Sequence, residues 1–127
     1  MSGTESGELL DAVRQFLRGE ILPELEGFKA YQTRVAANAL GIVARELEMG
    51  GGLAELDRQI AASLSLREEE GPVTRQIALA LRDGNLVANS QLTSYLRKRT
   101  LLGVSIDNPK YAGLREARKR WGDIDIP

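Results

Sequence analysis

Apolar residues recur every three or four positions along most of this chain, which is the spacing of one face of an α-helix. The first such run covers residues 6–22, where Ser6 is placed to cap the helix and Pro23 to end it. The second and longest run covers about residues 28–49. Its apolar sector is wide, which is typical of a helix at the centre of a bundle. That sector contains Phe28, Tyr31, Val35, Ala39, Ile42 and Met49, and is extended on one side by Ala36, Leu40, Val43 and Leu47.

Glycines divide the middle of the chain. Three consecutive glycines at residues 50–52 are expected to end the second helix and begin a third. A charged connection at residues 68–72 then precedes a fourth helix over about residues 73–83, with Gly84 placed to cap its C-terminus. The apolar face of the third helix consists of Leu53, Leu56, Ile60 and Leu64.

Two more helices are predicted in the C-terminal third. Asn89 or Ser90 can cap the fifth helix. Asn108 followed by Pro109 is typical of the N-cap and first position of a last helix over residues 110–121. The face of the fifth helix carries Leu92, Tyr95, Leu96, Leu102, Gly103 and Ile106.

The pattern predicts an all-α fold, a bundle of five to six helices with short connections, because no strand-like alternation with paired turns occurs. A chain of 127 residues suits a single domain with one core. We therefore expect one helical domain over residues 1–127, with residues 1–5 and 122–127 as flexible ends.

The chain contains neither cysteine nor histidine. This removes disulfides, thiolate nucleophiles, the usual imidazole base and the commonest nitrogen ligand of transition metals. We expect no enzyme, no metal and no cofactor. The N-terminus lacks the apolar segment of a signal peptide, and charged residues interrupt every apolar stretch, so we expect a soluble cytoplasmic protein that does not cross a membrane.

Charge is unevenly distributed although the formal net charge is −1. Residues 97–127 are basic, and the remainder is acidic. The basic segment does not predict nucleic-acid binding, because Arg97 and Lys98 point away from Arg99 on the helix and no recognised motif is present. The triple glycine does not predict a nucleotide loop, because it follows a helix and lacks the Gly-Lys-Ser/Thr ending.

Polar residues follow one margin of the apolar sector of the second helix. Arg34, Asn38 and Arg45 fall together there. Two interpretations stay open: these side chains form structural hydrogen bonds to neighbouring helix ends, or they line a groove for a phosphate or carboxylate ligand.

Two charged residues interrupt apolar faces. Arg99 lies in the middle of the face of the fifth helix, and Glu46 lies almost on the midline of the second. Since a buried charge persists only with a partner, we expect Arg99 to be paired in the core or at a subunit interface, with Glu46 or Glu20 as its partner.

A second polar cluster, Asp107, Asn108 and Tyr111, surrounds the predicted start of the last helix. Asn108 is expected to cap that helix and Asp107 to bond local backbone donors, while Tyr111 is expected to pack. A role in ligand or partner contact is the alternative for all three.

A likeness to a known family lies in residues 10–23, in Phe28 with residues 34–40, in residues 45–47 and in residues 106–111, so it spans residues 8–111. On these residues the sequence resembles a small all-helical bacterial family of unknown function. Genes of that family typically stand beside aminoglycoside-phosphotransferase-like kinases and acyl-CoA dehydrogenases, which implies a link to acyl-CoA or related small-molecule catabolism. The resemblance implies no catalytic residue. The positions that belong to its pattern are Arg34, Asn38, Glu46, Asp107, Asn108 and Tyr111.

We expect a non-enzymatic accessory or interaction protein, which forms a homo-oligomer or binds such a kinase or dehydrogenase through apolar helical surface. The alternative is a binding module for a phosphate- or carboxylate-bearing ligand. The residues in question for either function are Arg34, Asn38, Arg45, Arg99, Asp107, Asn108 and Tyr111.

Overall fold

A computed structural model describes residues 2–122 of the chain. That part contains five α-helices and no strand, so the predicted all-α class and number of helices are confirmed. The helices are α1 (Gly3–Phe16), α2 (Gly27–Leu64), α3 (Val73–Arg82), α4 (Ser90–Asp107) and α5 (Ala112–Arg120).

Helix α1 begins earlier than its apolar pattern predicts. The Ser2 hydroxyl accepts a hydrogen bond from the Glu5 backbone N–H at 3.1 Å, and the Glu5 carboxylate accepts one from the Ser2 N–H at 2.9 Å. This reciprocal capping box fixes the start of the helix, so the predicted cap at Ser6 is wrong. Residues 2–5 therefore form the cap and first turn, and Gly122 lies in a turn after α5. The other residues of the predicted flexible ends, 1 and 123–127, lie outside the described residues.

Helix α1 also ends before the predicted residue 22. A π-helical turn at Leu17–Ile21 and a 3-10 turn at Leu22–Glu24 follow it. Pro23 lies within the first two positions of the 3-10 turn, where its missing N–H removes no helical hydrogen bond.

Helix α2 runs through the triple glycine, so the predicted break at residues 50–52 is wrong. The helix has 38 residues, and its glycines 50 and 51 do not take the positive φ of a helix-ending glycine. Each glycine costs a helix about 1 kcal/mol relative to alanine, but no proline or capping residue beside them offers another conformation. The predicted second and third helices are therefore one element.

The apolar sector of α2 faces solvent in its N-terminal half. Phe28 is 71% exposed, and Tyr31, Val35, Val43 and Leu47 are between 44 and 60% exposed. The expectation that these side chains are central is wrong. The buried side of this half of the helix consists only of small residues, Ala30, Ala37, Gly41 and Ala44.

Helix α1 packs closely on that small side. A Cβ atom added at Gly7 would lie 3.4 Å from the carbonyl oxygen of Ala44, and one added at Gly41 would lie 3.3 Å from Cδ of Arg14. Two helices approach this closely only where side chains are short. The close approach of α1 is thus the physical reason why the smaller face, rather than the more apolar face, is buried.

The boundaries of α3 and α4 follow the sequence. Gly84 has a φ of +76°, as the predicted C-terminal cap of α3 requires. Asn89 caps α4, since its Oδ1 atom accepts the Leu92 N–H at 2.8 Å. The buried positions of α4 agree with the predicted face at Leu92, Tyr95, Leu102 and Ile106, and Leu96 is partly exposed.

The last helix begins later than predicted. Tyr111 occupies the N-cap position of α5, and Pro109 and Lys110 form a turn before it. Asn108 is therefore not the N-cap, and Pro109 is not its first helical residue. The turn separates α4 from α5, so the helix that was predicted over residues 110–121 covers only Ala112–Arg120.

The described residues fall into two compact units. Unit 1 consists of residues up to 51 together with Ile106–Asn108, and unit 2 consists of Gly52–Ser105 and the residues from Pro109 onward. The largest fully buried side chains, Ile77, Leu92 and Leu101, all belong to unit 2. No helix within residues 2–122 is long and apolar enough to span a bilayer.

Candidate functional site

A three-residue polar cluster joins α2 to α4 within unit 2. The Tyr95 hydroxyl donates to Oδ1 of Asp57 at 2.6 Å. The Arg99 guanidinium donates from Nε to the same oxygen at 2.9 Å and from a terminal nitrogen to Oδ2 at 3.3 Å. Tyr95 and Arg99 are four residues apart on α4 and so share one face. The Asp57 carboxylate therefore accepts hydrogen bonds from a phenol and from both arms of a guanidinium at the same time.

The electrostatics of this cluster indicate a structural role. Burial raises the pKa of the Tyr95 phenol well above its ordinary value, and the hydrogen bond to Asp57 raises it further. The hydrogen bond to Asp57 also raises the pKa of Arg99. Both donors thus keep their protons at neutral pH, and the cluster is a fixed hydrogen-bonded ion pair rather than a site of proton transfer.

The partner of Arg99 differs from the expectation. Arg99 is paired, as predicted, but with Asp57 instead of Glu46 or Glu20, both of which are exposed. A signal for Asp57 was present in the sequence. Asp57 lies on the same helical face as Leu53, Ile60 and Leu64, so it interrupts an apolar stripe in the way that Glu46 does.

The space beside the cluster is too small for a typical ligand. A cavity of about 160 Å³ adjoins Tyr95 and is also lined by Leu56, Ile60, Gln91 and Lys98. Pockets that bind small molecules usually have volumes of about 300–1,000 Å³. Arg99 is thus explained by its ion pair without a ligand.

The predicted margin residues of α2 do not converge on one pocket. The side-chain amide oxygen of Asn38, Oδ1, accepts a hydrogen bond from a terminal nitrogen of Arg18. Arg45 donates from Nε to the backbone carbonyl of Ile106 at 2.7 Å, within unit 1. Arg34 is exposed. Asn38 and Arg45 therefore form hydrogen bonds to different parts of the chain.

Arg45 also lines a groove between α1 and α2 with a volume of about 350 Å³. Arg14 is the other cation of this groove, and its Nε atom donates to Asp11 at 3.0 Å. Three carboxylates, those of Glu8, Asp11 and Glu48, line the same groove. Because they outnumber the two guanidinium groups, the groove does not favour an anion.

The residues of the second predicted cluster are exposed. Asp107 is the last residue of α4, and Asn108 follows it outside any helix. The Tyr111 ring lies over the first turn of α5, since a Cβ atom added at Gly113 would be only 2.6 Å from its Cε1 atom. Among the described residues, no group of three or more acidic side chains has the arrangement of a metal site.

An exposed apolar ridge on α2 is the most extensive feature that the sequence-based choice of residues missed. We call it the outer ridge: Tyr31, Val35, Ala39, Val43 and Leu47, spaced four residues apart. All five are exposed, and the Phe28 ring stacks on Tyr31 at its N-terminal end with ring centroids 6.3 Å apart. Rows of residues spaced by four form the ridges that pack helices together in globular proteins.

The family model described as a domain of unknown function, DUF6285, matches residues 23–111. The chain belongs to this family. The DUF6285 match covers α2, α3 and α4 completely and therefore contains the outer ridge and the Asp57 cluster, whereas α1 and α5 lie outside it. No curated protein and no solved structure is significantly similar to the chain.

Proposed function

We propose that this DUF6285 protein is a non-enzymatic helical interaction protein that forms a homodimer through the outer ridge of α2. The observation that carries the proposal is the exposure of five apolar residues in an unbroken row of four-residue spacing. Exposed apolar surface that is contiguous, rather than scattered, is typical of interaction sites.

The order of residues along the ridge suits a second copy of the same chain. Ala39 is the middle residue, with Val35 and Val43 four positions away and Tyr31 and Leu47 eight positions away. A two-fold axis at Ala39 would place Val35 of each copy opposite Val43 of the other. An interface with two-fold symmetry must be self-complementary in this way. The small side chain of Ala39 permits close approach of the two helices at their crossing.

Polar residues beside the ridge support the same pairing. Gln32 and Glu46 are exposed and lie seven positions on either side of Ala39. The axis that pairs the valines would therefore bring the Gln32 amide of one copy to the Glu46 carboxylate of the other. A hydrogen bond to a charged acceptor would stabilise this register and oppose others. This pairing also explains a carboxylate on the midline of an apolar face.

The proposal includes a cytoplasmic location and a role beside acyl-CoA or related small-molecule catabolism; the family resemblance implies the link to catabolism. A phosphotransferase-like kinase or an acyl-CoA dehydrogenase is the competing occupant of the ridge. The self-complementary order of the ridge favours a second copy, because a different partner would not require symmetry about Ala39.

Size-exclusion chromatography with light scattering at micromolar concentration tests the homodimer. We expect twice the chain mass of 13.9 kDa for the wild type and the chain mass for Val43→Arg. Val87→Arg is the matched control, since Val87 is 79% exposed but lies outside the ridge. Circular dichroism checks that each variant keeps its helices.

Substitution of Gln32 tests the register. Gln32→Lys should strengthen the dimer by forming an ion pair with Glu46, and Gln32→Glu should weaken it by repulsion. A monomeric wild type would overturn the proposal, as would a dimer that tolerates Val43→Arg. Loss of a co-purified kinase or dehydrogenase in Val43→Arg, with a monomeric wild type, would assign the ridge to that other partner instead.

A further inference from the structure

We infer that a basic groove at α5 binds a small ligand of the nucleotide class, with its phosphates on lysine and arginine side chains and its ring on Tyr111. The groove has a volume of about 840 Å³ and lies entirely within unit 2. Its cations are Lys110, Arg115, Arg118 and Lys119. This volume lies within the usual range for sites that bind small molecules.

The cations share one side of the helix. Arg118 and Lys119 follow Arg115 by three and four residues, which places all three on neighbouring positions of the α5 surface. Lys110 lines the groove from the turn before the helix. Like charges at this spacing repel one another, so an anion bound among them would be stabilised by each.

The charges of the groove are not compensated within the described residues. The ion pairs formed by residues 2–122 include none of these four cations. Glu116, on the same helix, pairs instead with Arg120 at 3.4 Å. The groove thus carries a concentrated positive charge, although the whole chain has a net charge of −1.

Arg118 is oriented by a hydrogen bond to a buried serine of α4. Its terminal nitrogen donates to the Ser105 hydroxyl at 2.9 Å, and that hydroxyl donates to the Leu101 carbonyl at 2.7 Å. Ser105 is buried. An arginine oriented by a buried hydroxyl loses less conformational freedom when it binds a phosphate, and its fork of donors suits a phosphate group.

Tyr111 supplies a second recognition element. Gly113 leaves the space that the ring occupies, because any Cβ atom there would be 2.6 Å from Cε1 and 3.0 Å from Cζ of the tyrosine. The residue nevertheless stays 56% exposed. A fixed aromatic ring that is exposed beside a cationic groove can stack on a nucleobase while the cations bind the phosphates.

A small ligand is favoured over a nucleic acid strand because the basic surface is short. Helix α5 has nine residues, and the nearby Trp121 ring is covered by the guanidinium of Arg97 at 5.5 Å from the ring centroid. One exposed ring and one bounded groove match one nucleotide, whereas a strand requires repeated stacking positions.

Isothermal titration calorimetry with ADP, pyrophosphate and a single-stranded oligonucleotide tests the inference on the full chain. We expect ADP to bind more tightly than pyrophosphate. The double variant Arg115→Gln/Lys119→Gln should weaken both by about tenfold or more, because it removes two charge-assisted contacts. Arg97→Gln is the matched control, since Arg97 lies on Trp121 instead of in the groove.

Tyr111 variants separate ring recognition from charge. Tyr111→Ala should weaken the binding of ADP and leave the binding of pyrophosphate unchanged. Gly113→Ala should have the same effect, because its Cβ atom would displace the ring. Absence of binding by ADP and pyrophosphate would overturn the inference. Tighter binding of the oligonucleotide than of ADP would also overturn it. So would an equal loss of affinity for ADP and for pyrophosphate in Tyr111→Ala. None of these variants lies on the outer ridge, so the result is independent of the dimer.

Discussion

Arg99 and Asp57 form a bidentate contact across 42 residues of sequence, with nitrogen to oxygen distances of 2.9 and 3.3 Å. Removal of the carboxylate would leave a guanidinium and a phenol without their shared acceptor in a partly buried place. We expect Asp57→Ala to lower the free energy of unfolding by about 2 kcal/mol. Chemical denaturation measures this change.

The control for that variant is Asp83→Ala, which breaks the exposed pair between Arg82 and Asp83. Exposed pairs contribute little, so its effect should stay below about 0.5 kcal/mol. Equal effects of the two variants would contradict a stabilising role for the Asp57 cluster.

Tyr95 should make stability fall at alkaline pH. Its pKa is raised in the folded state by burial and by the hydrogen bond to Asp57, whereas an unfolded tyrosine ionises near about pH 10. The stabilisation is therefore complete below about pH 10 and is lost as the pH rises through the raised folded-state pKa. Tyr95→Phe should cost about 1 kcal/mol at neutral pH and should flatten the decline above pH 10.

Unfolding by urea at a series of alkaline pH values measures this slope. Tyr111→Phe is the matched control, because it removes a hydroxyl from a residue that is 56% exposed and lies outside the outer ridge. If the free energy of unfolding falls with pH equally steeply in Tyr95→Phe and in the wild type, the Tyr95 hydroxyl is not the group responsible.

The orientation of α2 can be tested with two adjacent alanines. Ala37 is 0% exposed, whereas Ala36 is exposed. Ala37→Leu should cost about 3 kcal/mol, because the added atoms must displace helix α1 or its own helix. Ala36→Leu adds the same atoms at the surface and should change stability by less than about 0.5 kcal/mol. Thermal or chemical denaturation measures both changes. A larger destabilisation by Ala36→Leu than by Ala37→Leu would mean that α2 buries the apolar face that the sequence predicts.

Gly51 offers a test of the uninterrupted helix. Nothing lies within 4 Å of an added Cβ atom, so Gly51→Ala should raise the free energy of unfolding by about 1 kcal/mol. Gly84→Ala is the matched control and should lower it, because Gly84 has a φ of +76°. If residues 50–52 were a loop with glycine-specific angles, Gly51→Ala would also destabilise.

Local signals predicted the helices and several of their ends. Asn89 and Gly84 act through bonds and angles within a few residues, so the sequence is sufficient to place them. Residues 50–52 were misleading, because glycine lowers helix propensity without forbidding a helix. Asn108 was misleading in the opposite way, since a residue suited to cap a helix does so only if the backbone starts the helix there.

The site was less predictable because it depends on neighbours distant in sequence. A charge within an apolar face predicted that Arg99 has a partner, but many carboxylates could reach it before the fold is known. The pattern of α2 identified its most apolar face correctly and could not indicate which side α1 covers. Hydropathy rates Ala37 below Val35, yet close packing of helices selects the smaller side chain.

The alanine and glycine lining of unit 1 also governs how this unit responds to heat. Small side chains remove little apolar area from water, and the heat-capacity change of unfolding is proportional to that area. Unit 1 should therefore have a shallow stability curve, whereas unit 2, which buries Ile77, Leu92 and Leu101, should have a more strongly curved one. Dimerisation through the outer ridge would bury additional apolar surface of unit 1. The melting temperature of unit 1 would then rise with protein concentration, as it does for folded states that are stabilised by association.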